Sequence, residues 1–282
     1  MSKCDLCGQE AGLLRKRHKE CEALLVAGKS ETMALVAQVA TASSDPQALL
    51  TQLTDIRRRS FLSEADQFPL LVKGWEKAVE YALEDGILSA EEERSLLAIA
   101  NALSLENEDL SHTEAWDRVV KAGALRDILE GKLPQRITLV NSLPFNLQKG
   151  ETIVWAFNNV AYYEQRTFTR YEGGSHGVSV RVAKGLYYRV GSFRGQPVKI
   201  AQMVALGTGV LGVTDRHLYF AGPSKTFRVK YDKIVSFTPY SDGIGITRDA
   251  QTAKPQVFVT GDGWFTYNLI TNLAQASGDL RT

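Results

Sequence analysis

The sequence contains only three cysteines and four histidines in 282 residues, and all three cysteines lie within the first 21 positions. An odd and clustered set of cysteines does not supply a disulfide framework. No secretory signal is visible after Met1, so we expect a reducing cytoplasm and a metal site rather than disulfides. The scarcity of histidine also leaves few candidates for acid–base catalysis.

Long hydrophobic runs are missing as well. The longest uncharged stretches, such as Ile200–Thr214, are shorter than the roughly 20 apolar residues that a membrane-spanning helix needs. The apolar fraction of 44% and the charged fraction of 23% are ordinary for a soluble globular protein. We therefore expect a cytoplasmic protein of about two domains, with peripheral attachment to a membrane as one option.

Common catalytic motifs are also missing, because there is no P-loop lysine, no G-x-S-x-G and no H-E-x-x-H. One motif does match a dinucleotide-binding fingerprint: Gly207-Thr-Gly209-Val-Leu-Gly212 has the form G-x-G-x-x-G, and Asp232 follows twenty residues later. That fingerprint requires a helix to begin within the glycines, whereas a β-branched strand follows here. We predict that the protein is not an enzyme and binds no dinucleotide.

Charge is distributed unevenly along the chain although the net charge is only +1. Residues 1–132 carry 16 Lys and Arg against 23 Asp and Glu, and residues 133–282 carry 17 against 9. The first part has a net charge of −7 and the second a net charge of +8. A basic part joined to an acidic part predicts either an anionic partner for the second or docking between the two.

The first 21 residues contain a candidate metal site. Cys4 and Cys7 form a C-x2-C knuckle that is followed by glycine, and His18 and Cys21 form an H-x2-C pair on one face of a helix predicted to start near Leu14. Three cysteines and one histidine are the ligands of a closed tetrahedral zinc site. The alternative is chance clustering. A four-ligand site has no position for water, so we predict a structural zinc ion on which the folding of the segment depends.

A short basic run, Arg15-Lys16-Arg17-His18-Lys19, lies between the predicted ligands. It could contact the phosphates of a nucleic acid. More often such a run is a solvated face, and Glu20 and Glu22 follow at once.

Residues 30–132 show the periodicity of helices. Segments 30–42 and 46–59 come first, and the stripe of Leu71, Trp75, Val79 and Leu83 marks the next helix. Capping boxes at residues 89–92 and 111–114 are predicted to open two further helices. The last of these is predicted to run to Leu129, with Gly131 as its C-terminal cap.

The phrase ALEDGILSAEEERSLLAIANALSL within this region resembles the tellurite-resistance TerB-like helical domain. The resemblance implies a regulatory or scaffold role in bacterial stress or antiphage defence. It also implies that acidic residues near the Asp-Gly turn have a link to divalent metal; the available ones are Glu84, Asp85, Glu91, Glu92 and Glu93. The alternative is that first-turn carboxylates complement the helix dipole, since their spacing is not that of an EF-hand.

After Lys132-Leu-Pro134 the periodicity changes from 3.6 to 2. Thr152–Tyr163 is predicted as a long strand, and Arg166–Gly177 as a polar loop. Segments 178–182 and 186–190 are predicted to form a hairpin with a three-residue turn that pairs 182 with 186, 180 with 188 and 178 with 190. A two-residue turn would scramble both faces. The preferred register puts positions 181 and 189 together on one exposed face.

The stretch GVLGVTDRHLYFAGPSKTFRVKYDKIVSFTPY, residues 209–240, is predicted to form three successive strands, 210–220, 227–231 and 235–240. A hairpin at Asp242-Gly243, a strand at 256–260 and a helix over 264–276 follow. The stretch resembles bacterial PH-like domains of the GRAM type, and the resemblance covers residues 145–276. It implies a twisted antiparallel sheet with a C-terminal helix that binds lipid head groups or proteins.

Together these patterns predict an α+β multidomain protein with a zinc-binding module at residues 1–29, a helical TerB-like domain at 30–132 and a PH-like domain at 133–282. The predicted function is a regulator or sensor that binds anionic phospholipid; the alternatives are a protein-interaction adaptor, and a nucleic-acid binder acting through the zinc module. The predicted lipid-binding residues are basic: Arg166, Arg170, Arg181, Lys184, Arg189 and Arg194, with Arg228 and Lys230 (beside Lys225) as a second cluster.

Overall fold

The computed structural model describes residues 2–12, 15–41, 46–138, 142–172, 175–183, 186–193, 196–250 and 252–276. Within these ranges the side chains of residues 40, 41 and 169–199 are not described. The chain divides into two compact units, Met1–Arg136 and Ile137–Thr282. We refer to them as the helical unit and the β unit.

The helical unit consists of a short Cys/His segment followed by six helices. They are α1 (Lys19–Thr41), α2 (Pro46–Arg59), α3 (Glu64–Ala82), α4 (Ala90–Ala102), α5 (Asn107–Leu110) and α6 (Glu114–Leu129). Helix α1 runs without a break through the predicted boundary at residue 29, so it joins the Cys/His segment to the helical region directly. The division into a module of residues 1–29 and a domain of residues 30–132 stays a prediction.

Helix ends follow the capping signals of the sequence with one exception. The predicted box at Ser89 is confirmed, because its side chain accepts from the backbone N–H of Glu92 and the Glu92 side chain accepts from that of Ser89. The box predicted at Ser111 is wrong. Thr113 caps α6 instead, and Ser111 ends the extra turn α5. The predicted glycine cap is confirmed: Gly131 has φ +75° and its N–H donates to the Ile128 carbonyl.

Trp75 is the centre of the helical core. Its side chain is 0% exposed, and its indole Nε1 donates to the carbonyl of Leu96 at 2.9 Å. Val79 is also fully buried, whereas Leu71 and Leu83 at the ends of the predicted stripe are half-buried. Burial of such side chains is the main force that holds the helices together.

In its described residues, the β unit contains nine strands, one α-helix and a short 3₁₀ helix at Tyr231–Lys233. The strands are β1 (Ile153–Glu172), β2 (Ser175–Ala183), β3 (Leu186–Phe193), β4 (Gln196–Thr214), β5 (His217–Ala221), β6 (Thr226–Lys230), β7 (Ile234–Tyr240), β8 (Gly243–Arg248) and β9 (Gln256–Val259). Seven strands form one sheet in the order β6-β5-β4-β1-β9-β8-β7, and β2 and β3 form a separate pair. All the strand pairings among the described residues are antiparallel.

The seven-stranded sheet curls on itself. The ring centroids of Phe227 on β6 and Phe258 on β9 lie 6.3 Å apart, although β5, β4 and β1 separate these strands in the sheet order. In a flat sheet the same strands would be roughly 19 Å apart, at about 4.8 Å per strand. Helix α7 (Gly263–Ala276) buries Phe265 against Trp155 at one end of the curled sheet, with ring centroids 4.7 Å apart.

Three strand predictions need correction. The predicted strand 210–220 is two strands, β4 and β5, because the chain turns at Asp215-Arg216. The predicted loop 166–177 is largely strand: β1 continues to Glu172 and β2 begins at Ser175. In the β2–β3 hairpin, the pairs 178/190 and 180/188 are confirmed, but Leu186 pairs with Ala183 and not with residue 182.

The glycines of the rejected dinucleotide motif lie within strand β4 rather than ahead of a strand, and no helix begins among them. Gly209 admits a close approach of neighbouring backbone, because a Cβ there would lie 2.2 Å from the carbonyl oxygen of Ala221. Gly212 is covered by Phe145, whose ring would meet a Cβ at 2.3 Å. These glycines therefore serve the packing of the sheet.

The fold class predicted from the sequence is confirmed. A Cys/His segment, a helical region and a curled antiparallel sheet with a C-terminal helix follow one another along the chain, which is the arrangement of a PH-like domain in its last part. Among the described residues, no helix is both long and apolar enough to span a bilayer.

Candidate functional site

Cys4, Cys7, His18 and Cys21 come together as predicted. One ligand atom from each lies within 4.8 Å of all the others. The knuckle turns tightly because Gly8 has φ +74°, and the Gly8 N–H donates to the carbonyl of Cys4 at 2.9 Å. His18 lies just before α1 and Cys21 lies in its first turn, so the start of one helix supplies two of the four ligands.

The hydrogen bonds of His18 orient its ring toward the cysteines. Its Nε2–H donates to the backbone carbonyl of Glu10 at 2.9 Å, which leaves Nδ1 without a proton and able to bind a metal. Nδ1 lies 3.3 Å from Cys7 Sγ and 3.6 Å from Cys21 Sγ. A tetrahedral zinc ion with bonds of about 2.05 Å to nitrogen and 2.3 Å to sulfur would place these atoms roughly 3.5 Å apart. The four residues therefore fit zinc.

The thiols differ in their readiness to ionise. The backbone N–H of Cys7 donates to Cys4 Sγ and lowers the pKa of Cys4 to about 6, although burial opposes it. Burial raises the pKa of Cys21 to about 11, and the neighbouring Cys7 and Cys4 act in the same direction. A bound divalent cation would hold all three as thiolates. With four protein ligands, the site could hold a structural ion and offers no open position for substrate.

The acidic residues near the Asp85-Gly86 turn do not converge in a similar way. An Asp85 oxygen accepts from the backbone N–H of Ile87 at 2.9 Å, and Glu92 belongs to the capping box of α4. Glu93 points into the unit and forms ion pairs with Arg126 and Arg136. In the described part of the chain, only the Cys/His set is close enough to share one ion.

Strands β1 and β4 extend past the rest of the sheet. Beyond residue 165, β1 pairs only with β4, over the pairs from Arg166↔Gln202 to Glu172↔Gln196. We call residues 166–172 with 196–202 the arm; the β2–β3 hairpin lies between its two strands in sequence. Segment 166–202 contains seven Lys and Arg and one acidic residue, a net charge of +6. Most of the positive charge of the second part of the chain is therefore carried by this segment.

The described part of the arm combines a cation with apolar side chains. Arg166 and Phe168 are both exposed, Phe168 by 46%, and strand alternation puts them on one face. Phe168 pairs with Ile200 across the arm, and the same face carries the buried Glu164 farther along β1. Met203, next to the arm, is also exposed, on the other face. This edge can therefore offer charge and apolar surface to one partner.

At the end of the curled sheet away from α7, the predicted cations Arg166 and Lys225 meet polar residues that sequence reasoning missed. Glu164 forms an ion pair with Lys225 of the β5–β6 turn at 2.6 Å, and Gln256 donates to the buried hydroxyl of Tyr162. Burial raises the pKa of Tyr162 to about 12; Glu164 acts in the same direction, whereas Gln256, Arg248 and Arg166 oppose it. Arg166 and Arg248 thus act on one hydroxyl. We call Arg166, Lys225 and Arg248 the open-end cations.

The other predicted binding residues do not join this group. Arg228 and Lys230 alternate with the inward-facing Phe227 and Val229, so they lie on the outer face of β6, and Lys230 pairs with Asp232. In the hairpin, Arg181 is opposite Tyr187 and Arg189 is opposite Ser179, which places positions 181 and 189 on one face. Arg170 pairs with position 198, and its side chain is not described. Lys184 and Arg194 lie outside the described residues.

A buried carboxylate on the outer face was also missed by sequence reasoning. Glu151 accepts hydrogen bonds from Thr214 Oγ1 at 2.5 Å, Tyr219 OH at 2.6 Å and His217 Nδ1 at 2.8 Å. Phe145 stacks on Tyr219 with ring centroids 5.0 Å apart and closes the cluster from outside. Both oxygens of the Glu151 carboxylate accept hydrogen bonds and the side chain is buried. The cluster therefore fixes the segment before β1 to the sheet.

Comparison with known proteins adds little to the geometry. No protein-family model matches the sequence, and no curated protein sequence matches it significantly. Among solved structures, the chain is similar to one described as "Critical structural role for the PH and C1 domains of the Vav1 exchange factor", with a TM-score of 0.23 and 14% identity. The match covers 92% of this chain and 61% of that one, so this chain spans about three-fifths of its length. These values are too low to define a fold or a function.

Proposed function

We propose that the protein is a non-enzymatic regulator whose β unit binds an anionic phospholipid surface through the arm and the open-end cations. The observation that carries the proposal is the net charge of +6 on segment 166–202, of which the described part exposes Arg166 beside Phe168. An anionic surface attracts basic residues by roughly 1 kcal/mol each, so several must act together. Insertion of Phe168 would add apolar burial worth about 2 kcal/mol.

The backbone of the arm supports the same function. An isolated two-stranded ribbon is marginal in water, and the arm has no third strand along residues 166–172. Contact with a membrane surface would bury one face of the ribbon and stabilise it. A protein surface could do the same, and the test below separates the two.

The test is co-sedimentation of the full chain with vesicles of phosphatidylcholine alone and of phosphatidylcholine mixed with phosphatidylserine. We expect binding to the mixed vesicles only, and a loss of about tenfold or more in Arg166→Glu/Arg170→Glu, which reverses two charges of the arm. The matched control is Arg228→Glu/Lys230→Glu, which makes the same charge change on the outer face of β6 and should reduce binding less than about twofold.

Equal losses in the two variants would show a response to net charge alone and would contradict a role for the arm. No binding of the wild-type chain to either vesicle would overturn the lipid proposal and leave a protein partner for the β unit. The nucleic-acid alternative rests on Arg15, Lys16 and Arg17, which are exposed. It would require binding to duplex DNA or to RNA that weakens steeply with salt.

We also infer that Cys4, Cys7, His18 and Cys21 hold a structural zinc ion. The hydrogen bond from His18 Nε2–H to the Glu10 carbonyl supports this, because it leaves Nδ1 as the metal-binding nitrogen. The ion would secure the first turn of α1 to the knuckle.

A further inference from the structure

A groove of about 500 Å³ opens on the surface of the helical unit, between the first half of α3 and the segment that joins α5 to α6. Its apolar floor is formed by Phe68, Pro69 and Val72 of α3. Phe68 is 39% exposed although it is a large aromatic side chain. The groove belongs to the helical unit alone, and its volume is within the usual range for a ligand site, about 300–1,000 Å³.

The rim of the groove is acidic. Three carboxylates, those of Glu76, Asp109 and Glu114, surround the floor, against the single ammonium of Lys73 and the imidazole of His112. One carboxylate oxygen of Asp109 already has a hydrogen-bond partner, because it accepts from the backbone N–H of Glu106. Glu76 and Glu114 form no ion pair with any described residue of the chain. They are therefore available to a cation from outside.

We propose that this groove binds a basic amphipathic segment of a partner protein, with an apolar side chain on Phe68 and Val72 and with Lys or Arg side chains against Glu76 and Glu114. On α3, Val72 and Lys73 lie three and four residues after Pro69, and Glu76 lies three and four residues after them, so the four residues share one face of the helix. An open groove with an apolar floor and charged edges suits a helix or a short extended peptide.

The negative charge of the groove disfavours an anionic partner. An anionic ligand would meet three carboxylates and would lose affinity, whereas a basic segment gains from each of them. The helical region as a whole carries a net charge of −7 over residues 1–132 and would steer a basic partner toward the groove. This site is separate from the arm, and the proposal does not depend on lipid binding.

The experiment measures binding of a synthetic peptide in which Leu and Lys follow helical spacing, labelled with a fluorophore and titrated with the full chain. A second peptide of the same charge, with Gly in place of Leu, controls for non-specific attraction. The groove variant is Glu76→Lys/Glu114→Lys. Its matched control, Glu84→Lys/Glu91→Lys, reverses the same number of charges at exposed positions outside the groove and also includes one first-turn glutamate.

We expect the groove variant to weaken binding of the Leu/Lys peptide by about tenfold or more, and the control variant by less than about threefold. The Gly/Lys peptide should bind at least about tenfold more weakly than the Leu/Lys peptide, because it cannot use the apolar floor. Equal losses in the two charge-reversal variants, or equal binding of the two peptides, would overturn the proposal. Phe68→Ala gives a second check, since it keeps the rim charges and should weaken only the Leu/Lys peptide.

Discussion

The side chain of His18 decides whether the first 21 residues act as one structure. A hydrogen bond from its Nε2–H to the backbone carbonyl of Glu10, which is not a ligand, fixes the orientation of its ring. In a segment this short there is little apolar core, since Cys4, Ala11 and Cys21 are its buried members. A bound zinc ion would then provide most of the folding free energy of this segment, as in other small metal-bound modules.

We therefore predict that Cys7→Ser removes zinc from the purified chain, from about one ion per chain to less than about 0.1. The measurement is elemental analysis by mass spectrometry, with amide hydrogen exchange to locate the structural effect. Exchange should rise over residues 2–21 and remain unchanged over α3 to α6. Lys16→Ser, in the same segment but not a ligand, is the control. Full zinc content in Cys7→Ser would contradict the assigned ligand set.

The buried carboxylate of Glu151 in the β unit accepts hydrogen bonds from four groups. Burial alone would raise its pKa, but hydrogen bonds from Thr214, Tyr219, the Gln148 backbone and His217 outweigh it, so the pKa of Glu151 is lowered. The stabilisation is fully present above the ordinary glutamate pKa of about 4.3. It is lost as the pH falls through the lower value of the folded state.

We expect Glu151→Gln to lower the free energy of unfolding of the β unit by about 2 kcal/mol at neutral pH, because hydrogen bonds to the charged acceptor are replaced by weaker ones. The variant should lose less stability than the wild type when the pH is lowered from 6 to about 3. Urea unfolding monitored by tryptophan fluorescence measures both. Exposed Glu84→Gln should change neither value, and an unchanged acid response in Glu151→Gln would refute the assignment.

At the scale of elements, ion pairs hold the segment that follows α6 against helices α4 and α6. The Arg136 guanidinium binds Asp127 and Glu93, and Arg126 reaches the same Glu93. Gly123 makes room for this contact, because a Cβ there would lie 2.4 Å from Arg136 Nη1. Desolvation would raise the pKa of Glu93 and of Asp127, but hydrogen bonds from Arg136 outweigh it and lower both.

Arg136→Gln should therefore destabilise the helical unit by about 3 kcal/mol, since it leaves two partly buried carboxylates with one arginine between them. The loss should be largest above pH 5 and should shrink as both carboxylates become protonated at lower pH. Thermal unfolding followed by circular dichroism at several pH values tests this. Arg58→Gln, which breaks the exposed pair with Asp55, should cost less than about 1 kcal/mol. Similar losses in the two variants would be evidence against the buried network.

The helices could be predicted from the sequence because their signals are local. Helix α2 begins at Pro46, and Ser89 and Glu92 cap the start of α4. Gly131 follows the end of α6 and donates to the carbonyl of Ile128, three residues earlier. The metal ligands were predictable for the same reason, since they form two short motifs. Ser111 was misread because α5 inserts a turn in which Leu110 is buried and Asp109 accepts from the backbone N–H of Glu106.

The arm and the open end could not be predicted from local signals. Residues 166–172 are polar and read as loop, and they form a strand only because β4 supplies the pairing partners some thirty residues later. Glu164 and Lys225 are 61 residues apart in sequence. Arg248 and Gln256 come from other strands again, so their meeting depends on how the whole sheet curls.

At the scale of the whole molecule, a net charge of +1 conceals two surfaces of opposite sign on two separately folded units. The basic arm suits an anionic surface, and the acidic groove suits a basic segment. Charged surfaces act over about 8 Å at physiological salt, so each contact should respond mainly to changes among its own charged residues. A chain built in this way could bring a basic partner protein to a membrane.

We predict that vesicle binding and peptide binding can each be lost by substitution without loss of the other. Arg166→Glu/Arg170→Glu should lose binding to phosphatidylserine-containing vesicles by about tenfold or more and keep the affinity for the Leu/Lys peptide within about twofold. Glu76→Lys/Glu114→Lys should do the reverse. Both bindings should weaken as NaCl is raised from about 0.1 M to 0.5 M, because the Debye length falls and each contact depends on charge. If either variant changed both bindings to the same extent, the two surfaces would have to be a single charge-balanced system, and the separation of function between the units would be wrong.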